Sequence, residues 1–200
     1  VMDLQQLYAQ LVDEAAVKEA TRFRTIPTGG YNVLVEPADL KQGEDAETPG
    51  TFNRWCSRVT APVIVLNEAG EEQKLGNVFF TISPEIRRVE KGKRAGQMDN
   101  SAKLWYQSVK ALRTIDAIAE SANVRDVIKT LAKSPVFIFV IEFFVIPGAG
   151  PNGSDKWITV RGEKADEIKA KYLALGLEPQ NMVTSIGAYK EEEADAEATA

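Results

Sequence analysis

The run VFIFVIEFFVI, residues 136–146, constrains the fold of this chain more than any other stretch. It is apolar at every position except Glu142 and lies between Pro135 and Pro147. An apolar helix needs about 20 residues to cross a membrane, so a run this short cannot be one. Phe, Val and Ile favour β structure, and proline marks the ends of strands. The run therefore predicts a long strand that is central in its sheet.

The two faces of this predicted strand are both apolar, because successive side chains point to opposite sides of a strand. One set comprises Phe137, Phe139, Ile141, Phe143 and Val145, and the other comprises Val136, Ile138, Val140, Glu142, Phe144 and Ile146. We expect both faces to be covered, one by the interior and the other by a helix or a partner subunit, which leaves a homo-oligomer open. The strand is therefore expected to have a structural role and not to bind the ligand. Its single acid predicts either a buried lysine or arginine partner or a local opening to water.

Composition and missing residue types exclude several classes of protein. A chain of 200 residues, 44% hydrophobic and 26% charged, is typical of one soluble globular domain with extensions. The acidic, amphipathic N-terminus lacks the features of a secretory signal, so a cytoplasmic protein without membrane contact is expected, in the host cell if the chain is viral. Cys56 is the single cysteine and there is no histidine. An intrachain disulfide and histidine-dependent catalysis are thereby excluded, and no cofactor or metal site is predicted.

The negative charge is concentrated at the C-terminus. The chain has 24 basic and 29 acidic residues, and five of the acids fall within the final EEEADAEATA. Without these five the acids and bases balance, so the acidic total does not argue against an anionic partner. A segment this polar cannot bury enough apolar surface to fold. Residues 191–200 are therefore predicted to be an acidic, disordered tail.

Hydrophobic periodicity divides the rest of the chain into helices and strands. Helical spacing over residues 3–22 predicts an N-terminal helix within residues 1–24. Residues 25–190 then form one domain with a closing helix. Its strands are predicted at residues 31–40, 52–66, 74–84, 136–146 and 155–162, and its helices at 101–120, 123–133 and 162–177. Pro62 predicts an edge or a bulge, Asn100 or Ser101 is expected to cap the first of these helices, and residues 181–190 are expected to add a short strand.

This order of elements predicts an α+β protein, mainly β, with a five-stranded OB-like barrel and added N- and C-terminal helices. An OB-fold is a five-stranded barrel whose sheet face and loops bind oligonucleotides, and its helix separates three strands from two. An SH3-like barrel and an open α+β sheet have similar orders and stay open as alternatives.

Residues 31–162 also carry a resemblance to a known family. The stretches concerned are YNVLVEPADLK, FNRWCSRVTAPVIV, GNVFFTISP, KLWYQSVKAL, VFIFVIEFF and DKWITVRG. In the order and residue composition of these stretches, the chain resembles the OB-fold single-stranded DNA-binding proteins of tailed bacteriophages. Those proteins coat exposed strands during replication and recombination. The resemblance implies an acidic tail that recruits replication proteins and shields the DNA groove. Here the tail ends in Ala-Thr-Ala, without the terminal aromatic or apolar residue of the family.

Binding of single strands requires cations that follow the phosphates and flat rings on which bases stack. Aromatic and basic residues occur together in the second and fifth strands, and the loop IRRVEKGKRAG is the most basic segment. Phe79 and Phe80 must point to opposite faces of the third strand, and Phe80 is taken as the contact. The predicted nucleic-acid-binding residues are Arg54, Trp55, Arg58, Phe80, Arg87, Arg88, Lys91, Lys93, Arg94, Lys156, Trp157 and Arg161.

These features predict a non-catalytic protein that binds single-stranded DNA without sequence preference during replication and recombination. Replication proteins are expected as partners of the acidic tail. One alternative is a structural or adaptor protein of a virion or assembly, whose barrel binds protein. Another is a small metal-dependent nuclease, since EEQK supplies Glu72 and Lys74 with one spacer between them. No phosphate-binding or dinucleotide-binding glycine motif occurs in the sequence.

Overall fold

The computed structural model describes residues 25–43, 54–67, 69–90 and 94–190, which form a mixed α+β protein. The N-terminal helix predicted within residues 1–24, the acidic tail of residues 191–200, and Lys91 and Lys93 lie outside the described residues. The strands are β1 (Gly29–Val33), β2 (Glu36–Pro37), β3 (Lys41–Gly43), β4 (Arg54–Leu66), β5 (Glu72–Ile82), β6 (Val136–Ile146), β7 (Lys156–Val160) and β8 (Gln180–Ala188). The helices are α1 (Asn100–Thr114), α2 (Val124–Leu131) and α3 (Ala165–Ala174).

Strand β6 is the centre of the first sheet, here called sheet 1, as its apolar sequence predicted. It pairs antiparallel with β1, β7 and β8. The β8 ladder covers one edge of β6, and β1 and β7 share the other edge end to end. Thr28 joins these two strands, because its hydroxyl donates to the Val160 carbonyl and accepts from the Glu142 amide at 2.9 Å. The bounds and the central position predicted for this strand are confirmed.

The second sheet, sheet 2, is built around β4 in the same antiparallel manner. Strand β5 pairs with one edge of β4, and the short strands β2 and β3 pair with the other. Pro62 was expected to mark an edge or a bulge, and a bulge is present beside it, because the register shifts between Val63 and Ile64 and leaves Leu75 of β5 without an opposite residue. The chain passes from sheet 1 to sheet 2 through the two residues between β1 and β2.

The inner faces of the two sheets enclose the hydrophobic core. Sheet 2 contributes Val59, Val63, Val78, Phe80 and Ile82, and sheet 1 contributes Val33, Val136, Ile138, Val140, Val183 and Ile186. Leu104, Trp105 and Leu112 of α1, together with Val127 and Leu131 of α2, complete it. Burial of apolar surface stabilises a fold by about 25 cal/mol per Å², so this set is the main source of stability.

Helix α1 occupies the opening between β5 and β8, and this placement explains why the sheets do not close. Its Asn100 and Lys103 side chains donate to the carbonyls of Val183 and Thr184, and its Gln107 accepts from the Ile186 amide. Backbone groups on the free edge of β8 therefore bond to side chains of α1 and not to another strand. In the described strands no ladder joins the two sheets, so closure into a five-stranded barrel is not confirmed.

Several local predictions are corrected by the structure. The cap of α1 is Asp99, one residue before the expected position, and its carboxylate accepts from the Ala102 amide at 2.9 Å. The short strand expected near residue 181 is a full strand of nine residues that forms one side of sheet 1. Gly176, with φ of +74°, follows the end of the closing helix.

Glu142 has a lysine partner, which is one of the two outcomes expected for a single acid in this strand. Its side chain is 2% exposed, and its carboxylate accepts from Lys169 Nζ of α3 at 2.8 Å and from Thr25 Oγ1 at 2.6 Å. Burial, together with the charge of Glu142, raises the pKa of the Tyr31 hydroxyl above its usual value. On the same face of β6, Phe144 packs against Tyr172 of α3 with ring centroids 5.4 Å apart. This face is therefore covered from Val136 to Phe144 by the core and by α3, and Ile146 at its end is half-buried.

The opposite face of β6 is not covered as expected. Phe143 is 4% exposed, Phe137, Ile141 and Val145 are half-buried, and Phe139 is 37% exposed. This side is therefore covered only in part within the described residues, and its cover by a partner subunit stays a prediction. None of the helices in these same residues is both long enough and apolar enough to span a bilayer.

Candidate nucleic-acid interface

The outward face of β4 and β5, which we call the β4–β5 face, carries an arginine over an exposed ring. Core positions alternate with outward positions on both strands, so Arg58 and Thr60 share this face with Phe79 and Thr81. The Phe79 ring is 50% exposed, and the Arg58 guanidinium carbon lies 5.5 Å from its centroid. Such a pair stabilises its own geometry by about 0.5–1 kcal/mol at an exposed site. The ring and the cation are thus held together at the surface.

Phe80, the residue selected from the sequence, lies in the core instead. It is 8% exposed and alternates with the buried Val78 and Ile82. Its neighbour Phe79 alternates with Asn77 and Thr81, which are both polar and exposed. The polarity of these two neighbours is the signal that identifies Phe79 as the outward ring.

Arg54 is tied to the beginning of α1. Its Nη1 lies 2.6 Å from Asp99 Oδ2, and its other terminal nitrogen donates to Ser101 Oγ. Since Asp99 also caps α1, this ion pair fixes the start of β4 against the start of the helix. Arg54 therefore has a structural partner, which its sequence neighbourhood did not indicate.

Trp55 remains accessible at the start of β4, on the side of the strand that carries Ser57 and Val59. Close to half of its surface is exposed, while its amide donates to Glu85 Oε2 at 3.3 Å and its carbonyl accepts from Ser83 Oγ at 2.8 Å. The backbone is held by these contacts, and the indole ring is left available.

The basic loop between β5 and α1 folds back on itself. Arg88 forms a bridge with Met98, and its guanidinium donates to the Gly96 carbonyl at 2.8 Å. Arg94 and Arg88 are exposed, and Arg87 is half-buried with its carbonyl accepting from Asp99 N. This contact brings the loop next to the Arg54–Asp99 pair, at the same end of sheet 2.

The second predicted cluster, Lys156, Trp157 and Arg161, belongs to sheet 1. All three residues are exposed, and Trp157 stacks on Phe143 of β6 with ring centroids 4.7 Å apart and planes 8° apart. The predicted binding residues therefore do not form one group. They divide between the two sheets.

A cleft between β5 and β8 connects the two sheets. Its volume is about 320 Å³, and its walls include Arg54, Phe79, Asp99, Asn181 and Met182. Phe79 belongs to the β4–β5 face, and Met182 lies opposite Ile141 on the outward side of sheet 1. The cleft is therefore the passage from one outer face to the other.

A larger cavity of about 580 Å³ lies beside α3, lined by residues such as Thr25, Lys74, Lys169 and Glu178. Its Lys169 is engaged by Glu142, so the cavity does not concentrate free positive charge. Glu72 and Lys74, the residues of the nuclease hypothesis, are exposed at the start of β5. In residues 25–43, 54–67, 69–90 and 94–190, no group of three or more acidic or cysteine side chains is arranged to hold a metal ion.

Comparisons of the chain with protein-family models, with curated proteins and with solved structures find no match. The chemistry of the β4–β5 face and of the cleft is therefore the basis for assigning a function.

Proposed function

We propose that this protein binds single-stranded DNA without sequence preference, in DNA replication and recombination, and that the β4–β5 face is the centre of its binding surface. The observation that carries the proposal is the half-exposed Phe79 ring with the Arg58 guanidinium over it. Stacking of a base on such a ring contributes about 1–3 kcal/mol and tolerates any base, because every base has a π-face. The arginine supplies a charge for the neighbouring phosphate.

The order of the strands supports the proposal. Going round the two sheets, β5 pairs with β4, β4 with β2, and the chain continues through β1, which pairs with β6, which pairs with β8. We take this order as similar to that of an OB-fold, with β4 and β5 corresponding to its second and third strands. That part of an OB-fold is where oligonucleotides bind. The OB-like architecture, opened between β5 and β8, is part of this proposal.

The neighbouring residues extend the surface along sheet 2. Arg88 and Arg94 place exposed cations at one end of the sheet, whereas the exposed Trp55 ring lies on the other side of β4, the side of Ser57 and Val59. Arg54 acts as a positioning residue through its ion pair with Asp99. The acidic segment 191–200 is proposed to compete with DNA for these cations and to recruit replication proteins, in the cytoplasm of the cell.

The proposal is tested by titrating the full chain with oligo-dT at several salt concentrations. We expect log K to fall against log salt with a slope steeper than about −2, since several phosphates are engaged. The double variant Arg58→Ala with Phe79→Ala should weaken binding by at least about tenfold. Arg125→Ala, an exposed arginine on α2, is the control for a lost charge. Absence of wild-type binding at low salt would overturn the proposal.

A further inference from the structure

The outward face of sheet 1 carries a line of rings that the β4–β5 face does not contain. Phe137, Phe139 and Phe143 are outward residues of β6, and Ile141 lies between Phe139 and Phe143. Phe143 is only 4% exposed, because Trp157 of β7 stacks on it. We call the four rings the β6 strip. Successive outward positions along a strand are about 6.6 Å apart, so Phe137 and Phe139 are direct neighbours and the exposed Trp157 ring follows beyond Ile141.

Small neighbours explain why two of these rings are open to solvent. Phe139 lies between Gly30 of β1 and Ser185 of β8, and Phe137 has Gly187 of β8 opposite it. Glycine and serine cannot cover an adjacent ring. Phe139 is consequently 37% exposed, although it sits in the middle of a central strand.

Phe137 is held flat by its surroundings. A Cβ atom on Gly30 would lie 2.1 Å from the Cζ atom of Phe137, so the ring passes directly over the glycine. The Lys190 ammonium lies 4.0 Å from the centroid of the same ring. Asn32 fixes Lys190 there, because its side chain donates to the Lys190 carbonyl at 2.7 Å and accepts from the Lys190 amide at 3.1 Å.

The charge on this face favours an anionic partner. The outward positions of β1, β6, β7 and β8 include no aspartate or glutamate. Lys190 stands at the Phe137 end, Lys156 lies beside Trp157 at the other end, and Arg161 follows Val160, which pairs with Glu142 near the middle of β6; all three cations are exposed. Rings in a line with cations at both ends provide stacking surfaces for bases and charges for phosphates.

We propose that the β6 strip is a second stacking surface for the same single-stranded DNA, an inference that rests on the proposed function. The bound strand runs from Phe79 through the cleft between β5 and β8, past Met182, and onto Phe139 and Trp157. The cleft supports this path because Phe79 and Met182 line it together, and Met182 lies opposite Ile141 on the strip side of sheet 1. An acid-free face with cations at both ends fits nucleic acid better than a second copy of this chain, whose matching face would bring like charges together.

The experiment compares a short oligo-dT of about 8 nucleotides, which one face can hold, with a long one of about 30 nucleotides, which must use both. The variants are Phe139→Ala combined with Trp157→Ala, and separately Lys190→Glu. We expect either variant to weaken binding of the long oligonucleotide by at least about fivefold and to leave the short one within about twofold. Lys190→Glu should also lower the salt slope by about 1. Leu175→Ala, an exposed apolar residue on neither face, is the control.

Trp157→Phe separates a binding role from a structural one. A phenylalanine keeps a ring for stacking, so affinity for the long oligonucleotide should hold while part of the fluorescence quenching by DNA disappears. Quenching that is identical in wild type and Trp157→Phe would overturn the inference. So would wild-type affinity in both strip variants while Arg58→Ala with Phe79→Ala weakens binding, and then the proposed function would stand without the strip.

Two further outcomes are informative in the same experiment. If the wild type binds neither oligonucleotide, the proposed function and the strip both fail. If the strip variants change sedimentation from dimer to monomer without changing DNA affinity, the face binds a second copy and the inference is wrong.

Discussion

The outer faces of the two sheets differ in what surrounds their exposed rings. On the β4–β5 face the exposed Phe79 stands under Arg58, with the charged Glu36 and Lys41 at outward positions nearby. On sheet 1 the β6 strip has several rings in line and no acid among them. One face therefore holds a single base site in a mixed charged surface, and the other offers exposed rings on an acid-free face with cations around it.

The same pair of faces also shows how similar sequence patterns acquire different roles. Arg54 and Trp55 of β4 resemble Lys156 and Trp157 of β7 in the sequence. Arg54 is bound by Asp99, which the chain supplies from the helix start, whereas Trp157 is supported by a ring beneath it. Tertiary contacts therefore hold the cation of the first pair, Arg54, and the ring of the second pair, Trp157, although the two sequence patterns are alike.

The largest expected effect tests which ring of β5 belongs to the core and which to the face. Phe80→Ala removes a buried ring and should lower the free energy of unfolding by about 3–5 kcal/mol, through lost burial and a cavity. Phe79→Ala should cost less than about 1 kcal/mol and weaken DNA binding instead. Urea denaturation and oligo-dT titration of both variants measure the two effects. Equal losses of stability would mean that the two faces are not distinguished as described.

A middle-sized effect is expected at the ion pair that anchors sheet 2. Arg54→Ala leaves Asp99 and Ser101 without their partner in a mostly buried position and should lower the free energy of unfolding by about 2 kcal/mol. DNA affinity at temperatures well below unfolding should change less than for Arg58→Ala. Arg54→Lys, which keeps the charge but not the two-pronged geometry, should recover part of the stability. A variant that loses affinity but no stability would make Arg54 a ligand contact.

The sequence was sufficient for those features that depend on local pattern. The strand over Val136–Ile146 and its central position follow from polarity and proline placement, while the bulge near Pro62 and the lysine partner of Glu142 are each one of two outcomes that the sequence left open. The outward position of Phe79 was also predictable from the sequence, because the residues two positions before and after it are polar. The same pattern places Phe80 with the buried residues, so the prediction of Phe80 as the contact was wrong.

The remaining features depend on contacts between distant parts of the chain. The ion pair between Arg54 and Asp99 joins residues 45 positions apart in the sequence, and no local pattern predicts it. Closure of the sheets depends on whether a helix or a strand satisfies the edge of β8, and here α1 does so with Asn100, Lys103 and Gln107. Exposure of the β6 strip depends on Gly30 and Gly187, which lie on strands far from β6 in sequence.

The smallest expected effect compares these two glycines and tests the strip most directly. Gly30→Ala places a methyl group where the Phe137 ring now lies, so the ring must turn away from the face and from Lys190. The end of a partly exposed side chain moves at little cost, and the free energy of unfolding should fall by about 1 kcal/mol. Affinity for a long oligo-dT should fall by about threefold, since one stacking site is lost in part.

Gly187→Ala is the matched control, because no atom lies within 4 Å of the added methyl group and the residue also neighbours Phe137. It should change neither stability nor affinity. If Gly187→Ala weakens DNA binding as much as Gly30→Ala does, added bulk on the face matters and not the orientation of Phe137. If neither variant changes affinity, Phe137 is not part of the strip and the bound strand ends at Phe139. The pair of variants thus locates the end of the binding surface to within one ring.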